Sequence, residues 1–176
     1  METLRDLLVN ELKDLYNAEK QILGALPKMA KAAHSQELRQ AFEEHRNQTE
    51  EHVNRLERIF QSMNLPPRGK KCEGVAGVIE EGSEFFKKKI DDDVRDAALI
   101  GAAQKIEHYE IAGYGTARTW AQLLGEEEAA GLLQQTLNEE AQTDETLSKI
   151  AEQVNVSAEH LELAASDAGR NNRRSG

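Results

Sequence analysis

Cysteine is almost missing from this chain: Cys72 stands alone among 176 residues. An intrachain disulfide is therefore excluded, and so is a thiolate metal cluster within one chain. Proline is nearly as scarce, with three residues, and aromatic residues make up only 5%. β-Branched runs of period two are also missing, so no sheet is expected. The longest small and apolar run, Ala97 to Ala103, is far too short to span a bilayer. The start, Met1-Glu2-Thr3-Leu4-Arg5-Asp6, lacks the apolar stretch of a signal peptide, and a cytoplasmic location is the expectation. Positive charge is short as well: 22 Lys and Arg against 32 Asp and Glu leave a net charge of −10. That balance argues against nucleic acid or an anionic membrane as a partner, since both need basic surfaces. The one basic cluster, Arg170, Arg173 and Arg174, reads as part of a flexible tail over 169–176.

What is abundant is the palette of long helices: alanine, leucine, glutamate, lysine and glutamine. Thr3 can cap a first helix with Asp6 at its third position. Leu4, Leu8, Leu12, Leu15, Ile22 and Leu26 then recur at three- and four-residue spacing to about Ala33. Ser35 can cap a second helix, whose stripe is Leu38, Phe42, His45, Thr49, His52/Val53, Leu56, Phe60 and Met63. Pro66-Pro67 is expected to end it. Residues 64–93 carry four glycines and a modest amphipathic stretch, which reads as a short helix on a long connection. A third long helix is expected from about Val94 to Leu124, stopped by Gly125. A fourth begins at Glu126-Glu127-Glu128, with Leu133, Leu137, Leu147, Ile150 and Val154 as its stripe. Ser157 is read as the start of a last short helix to about Ala168.

Four helices of roughly 27 to 31 residues, each about 40–47 Å long, thus form two tight hairpins. The middle connection is long enough to cross the whole bundle. One long crossover makes this an all-α, ferritin-like four-helix bundle with a short extra helix, in a single domain over 1–168.

The residues that interrupt the apolar stripes carry the chemistry. Glu19 lies four after Leu15 and three before Ile22, so a carboxylate faces inward. His45, Gln48, Thr49 and His52 share one face of the second helix. Glu107 and Glu110 are flanked by Ala103, Ile106, Ile111 and Tyr114. Glu140 and Asp144 lie between Leu137 and Leu147. Several like-charged carboxylates in one core are costly, and a cation between them resolves the cost. Carboxylate and imidazole ligation suits iron or manganese better than structural zinc. Taken singly, each of these residues has a bland reading: a solvated glutamate, a hydrogen-bonded histidine, a packing tyrosine. His52 and His108 read as exposed or supporting groups. The coincidence on all four helices is what favours a site.

The segments Glu11 to Ile22, Lys71-Cys72-Glu73-Gly74, Arg95 to Ile100, Gln104 to Ile111, Leu137 to Glu140 and Thr143-Asp144 resemble the YciE/YciF family of bacterial proteins. The resemblance covers roughly residues 3–155, and the third-helix segment is its most specific part. It implies a ferritin-like fold, a homodimer, an association with stress responses and a metal centre. Carried over position by position, Glu19, His45, Glu107, Glu110, Glu140 and Asp144 match polar positions expected at the bundle centre. One departure is Gln48, where family members often show glutamate. Another is the missing Glu-x-x-His pattern: the chain reads Thr49-Glu50-Glu51-His52 and Glu140-Ala141-Gln142-Thr143.

Two functions compete on this reading. One is a protein with iron or manganese, dinuclear at most, that handles peroxide or dioxygen as a peroxidase, catalase-like enzyme or ferroxidase. The other is a non-catalytic stress or scaffold protein whose inward polar groups form a metal-free hydrogen-bond network. A small-molecule binder using the core near Tyr114 and Trp120 is a third, less supported option. Nucleotide loops, nucleophile elbows and zinc-finger spacings are absent.

Overall fold

The computed structural model describes residues 1–86 and 88–172, with side chains described no further than Glu159. Among the described residues there is no strand. The helices are α1 (Leu4–Ala32), α2 (Gln36–Ser62), α3 (Glu73–Ser83) with a 3₁₀ turn (Glu84–Phe86), α4 (Asp92–Leu123) and α5 (Glu127–Asn172).

The starts and stops follow from local chemistry. Thr3 and Asp6 form a reciprocal capping box at α1. Helix α1 continues through Pro27 without interruption. Ser35 caps α2 through the Leu38 N–H. The end of α2 comes before Pro66-Pro67: Asn64 adopts a left-handed φ of 57°, and the Leu65 N–H turns back to the Phe60 carbonyl. Gly125, at φ 73°, provides the same stop between α4 and α5, where a side chain would be strained. The separate last helix expected from Ser157 is instead the continuation of α5. No glycine or proline lies between Gly131 and Gly169, and a serine alone does not stop a helix. Of the expected basic tail, Arg170 falls on this helix, while Arg173 and Arg174 lie outside the described residues, as does the His160 side chain.

The four long helices pack in a closed square, α1 against α2 and α4, and α5 against α2 and α4. Every neighbouring pair is antiparallel. Arg5 at the start of α1 reaches Glu126 before α5, while His34 and Ser35 meet Asp96 near the start of α4. On the opposite side, Arg58 faces Glu128 and His45 faces Thr143. The connection from α2 to α4 therefore crosses the full length of the bundle, as the ferritin-like topology requires. The buried Asp96 carboxylate accepts both the His34 N–H (2.8 Å) and the Ser35 N–H (2.6 Å), which pins the α1–α2 turn to α4.

The crossover is clasped to α1 on its way. Asn17 Oδ1 accepts the Cys72 N–H at 2.8 Å and the Gln21 amide at 2.8 Å, and that amide also donates to the Cys72 carbonyl at 3.0 Å. Tyr109 of α4 donates to Asp14 at 2.7 Å and accepts from the Cys72 thiol at 3.2 Å. Gly74 makes room for that tyrosine, since a Cβ there would stand 2.6 Å from its ring. Asn17→Ala should cost about 1–2 kcal/mol, because it strands a part-buried amide and N–H. The expected readout is a melting temperature lower by roughly 3–6 °C, with faster amide exchange at Cys72. An unchanged melting curve would show that the clasp contributes nothing.

The interior is divided. One apolar cluster gathers Ile22, Leu26, Phe42, Leu99, Ile106 and Leu147 with their neighbours, including Cys72 and Val75 beneath the crossover. The other gathers Leu8, Leu12, Leu15, Leu56, Phe60 and Leu133. Each buried Leu or Phe contributes about 1.5–3 kcal/mol. Between the two clusters lies a layer of buried polar side chains.

Candidate metal centre

Six side chains from four helices make that layer: Glu19 of α1, His45 and His52 of α2, Glu107 and Glu110 of α4, and Glu140 of α5. None is more than 3% exposed. Helical periodicity explains the convergence. His45 and His52 are seven apart and Glu107 and Glu110 three apart, so each pair lies on one inward face.

The six divide into two groups that share one member. One ligand atom from each of His45, Glu107, Glu110 and Glu140 lies within 4.8 Å of the others, and the same holds for Glu19, His52 and Glu140. His45 Nε2 stands 3.3 Å from Glu107 Oε1 and 3.9 Å from Glu140 Oε2. His52 Nδ1 stands 2.9 Å from Glu140 Oε1 and 3.4 Å from Glu19 Oε1. Glu140 thus turns one oxygen to each histidine.

These approaches are not hydrogen bonds of good geometry. Both oxygens of Glu110 and of Glu140 are buried without a hydrogen-bond partner. So are Oε2 of Glu19 and of Glu107, Nε2 of His45 and Nδ1 of His52. Leaving so many polar atoms unpaired is expensive. Oxygen and imidazole nitrogen donors that converge without satisfying one another fit a divalent cation of the iron or manganese type.

The far sides of the ligand candidates are held. His52 Nε2 meets Glu139 Oε2 at 2.8 Å, and Arg55 grips Glu139 with both terminal nitrogens at 2.6 and 2.9 Å. This contact keeps a proton on Nε2 and makes Nδ1 the nitrogen that faces the cluster. His45 Nδ1 lies 3.3 Å from Thr143 Oγ1 and 3.4 Å from Gln48 Oε1. Tyr114, fully buried, donates to Glu19 Oε1 and leaves Oε2 for the cluster.

Electrostatics favours protons within the layer. Burial alone would push His45 down, yet Glu107 and Glu140 outweigh it and hold the imidazole up at about 9. His52 is likewise shifted up: burial opposes its charge, but Glu140 and Glu19 prevail. Burial raises Glu140. Burial, reinforced by Glu19, Glu140 and Glu107, holds Glu110 well above the ordinary carboxyl value. Burial and the Glu19 charge raise Tyr114, which stays a donor. Protons thus stand where cations could.

Five of the six residues expected from sequence meet here: Glu19, His45, Glu107, Glu110 and Glu140. Asp144 does not join them. It accepts the Gln104 amide at 3.0 Å and lies 3.3 Å from the exposed His108, on the outer α4–α5 seam. Four residues turn a helix through about 400°, so Asp144 has drifted about 40° from the inward line that joins Glu140 to Leu147. His52, read from sequence as exposed or supporting, is instead fully buried in the layer. Its spacing of seven from His45 carried the signal. Gln48 lies behind the His45 ring rather than among the converging atoms. His34 sits at the α1–α2 turn, 3.6 Å from Asp92.

Comparison with known proteins gives a consistent family. Residues 3–159 match the family described as a domain of unknown function, DUF892. Protein YciF of Escherichia coli strain K12 is 44% identical, over 91% of this chain and 98% of that protein. The crystal structure of the E. coli stress protein YciF matches with a TM-score of 0.85, covering 88% of this chain and 98% of that one. YcfI of Rhodopseudomonas palustris, described as a structural protein, is 39% identical with a TM-score of 0.81, over 84% and 94% of the two chains.

Proposed function

This chain belongs to the YciE/YciF family, the family described as DUF892, and on that premise we propose that it is a stress-associated protein built around a dinuclear iron or manganese centre with chemistry toward peroxide or dioxygen. The observation that carries the reading is the set of buried, unpartnered oxygen and nitrogen atoms converging from four helices. His45, Glu107, Glu110 and Glu140 would hold one metal, and Glu19, His52 and Glu140 the other. Once bound, such metals supply the electron chemistry that no side chain here can. The chain's own residues do the rest. Glu140 belongs to both groups, Glu139 and Arg55 orient the His52 ring, and the apolar clusters close the layer toward both ends of the bundle. The bulk of the bundle has no helix long and apolar enough to cross a membrane among the described residues.

A second reading is a non-catalytic, metal-free scaffold protein; a relative described as structural and the upward shift of His52 between Glu140 and Glu19 favour it. Elemental analysis decides between the two. Protein from cells supplied with iron and manganese is expected to hold close to two metals per chain, and a Glu107→Ala/Glu140→Ala variant close to none. Folded protein that resists loading would leave only the scaffold reading.

A further inference from the structure

A pocket of about 120 Å³ opens between α2 and α5 and ends on the polar layer. Its inner wall includes His45 and Glu107, the same side chains that border the candidate metal position. Both are almost fully buried, and both carry an atom without a hydrogen-bond partner. Leu26, Phe42, Ala103 and Leu147 give the pocket an apolar body. Gln48, Thr143 and Thr146 give it a neutral polar rim. The lining holds no lysine or arginine, and Glu44 stands beside the rim.

We propose that this pocket is a ligand site opening onto the metal layer, and that it takes a small neutral molecule with a compact apolar body and one hydroxyl or hydroperoxyl head. The chemical class is a short branched alcohol or the matching alkyl hydroperoxide.

Size sets the upper limit. A dry cavity of about 150 Å³ takes benzene, so this one suits a body of on the order of five heavy atoms. Charge sets the sign: an anion would face Glu44 and Glu107, and the one cationic group in the lining, His45, is already engaged by Glu107, while a neutral head avoids that repulsion. Polarity sets the orientation. The apolar end lies against Leu26, Phe42 and Leu147, and the head meets the unpartnered atoms of His45 and Glu107 or the rim hydroxyls. The inference rests on the metal-centre reading for what lies behind the inner wall, but the pocket itself is formed by the chain alone.

The test uses tert-butanol, an unreactive probe of the right size, titrated into the full-length protein with and without iron. Methyl NMR signals of Leu26 and Leu147 are expected to shift saturably. Thr146→Phe, at an exposed rim position, and Ala103→Leu, inside the body, should each weaken binding tenfold or more while leaving metal content unchanged. Thr146 lies on the surface, so that variant keeps the test valid if Ala103→Leu fails to fold. Absence of saturable shifts at these methyls, or unchanged affinity in Thr146→Phe, overturns the pocket. Metal uptake without tert-butanol binding overturns the pocket alone. Tert-butanol binding without metal uptake supports the pocket and overturns the metal centre.

Discussion

Loading the metal-free protein with ferrous iron or manganese at pH 7 should release protons, from Glu110 and from the mutually dependent set of His45, His52 and Glu140. Titration calorimetry in buffers of different protonation enthalpy reads the number directly. The reason is that each of these four groups is shifted toward holding its proton, and a metal ligand must give it up. The same shifts set the pH dependence of the metal-free fold. An unfolded histidine loses its proton near pH ~6.5 and an unfolded glutamate near pH ~4.3. In the folded chain His45 keeps its proton to about pH 9, and the raised carboxyls keep theirs above the ordinary range. Across that window the unfolded state binds fewer protons than the folded one, so stability falls as pH rises. The metal-free melting temperature should therefore drop from pH 5 to pH 9. In excess metal the trend should reverse, because binding strengthens as protons leave. Metal uptake without proton release would refute this account of the layer.

Replacing Glu110 by glutamine should stabilise the metal-free protein at pH 7 and weaken metal binding by a hundredfold or more. Glu110 is fully buried, both its oxygens are unpartnered, and Glu19, Glu107 and Glu140 surround it. Keeping it neutral at pH 7, when the unfolded chain would ionise it, costs up to about 3.7 kcal/mol. Glutamine has nearly the same shape and needs no proton. Glu110→Gln should raise the melting temperature by roughly 6–10 °C at pH 7, and the gain should vanish near pH 4.5, where the unfolded glutamate is also protonated. A gain independent of pH would place its cause elsewhere. A residue that weakens the fold while equipping the site is the usual mark of function.

Periodicity alone located the four long helices, because their apolar stripes are long and their caps are explicit at Thr3, Ser35 and Gly125. Glu19, Glu107, Glu110 and Glu140 were legible for the same reason: each breaks a stripe that otherwise stays apolar. His52 was not, since it shares its stripe position with Val53: both are buried, and only the packing of α2 against α5 decides which of them reaches the polar layer. Asp144 failed for the opposite reason. Its spacing from Glu140 is helical, but one turn of drift carries it to the seam with Gln104. The clasp of Cys72 by Asn17 and Tyr109 left no trace in the sequence, because a glycine-rich connection has no period to read and its path is set by partners far away in the chain. The continuity of α5 past Ser157 was misjudged from a capping residue that had no helix break before it.

The layer of acids and imidazoles between two apolar halves also indexes the bundle. Four helices with apolar stripes can be stacked in many alignments of similar apolar contact. Slide any one of them by a single turn, about 5.4 Å, and an acid or imidazole moves toward an apolar shell while an apolar side chain moves toward the acids. Only one vertical setting of α1, α2, α4 and α5 brings Glu19, His45, His52, Glu107, Glu110 and Glu140 into one central layer. The polar waist thus works as a notch on each rod, and it selects one native alignment from a set that hydrophobic contact alone would leave nearly degenerate.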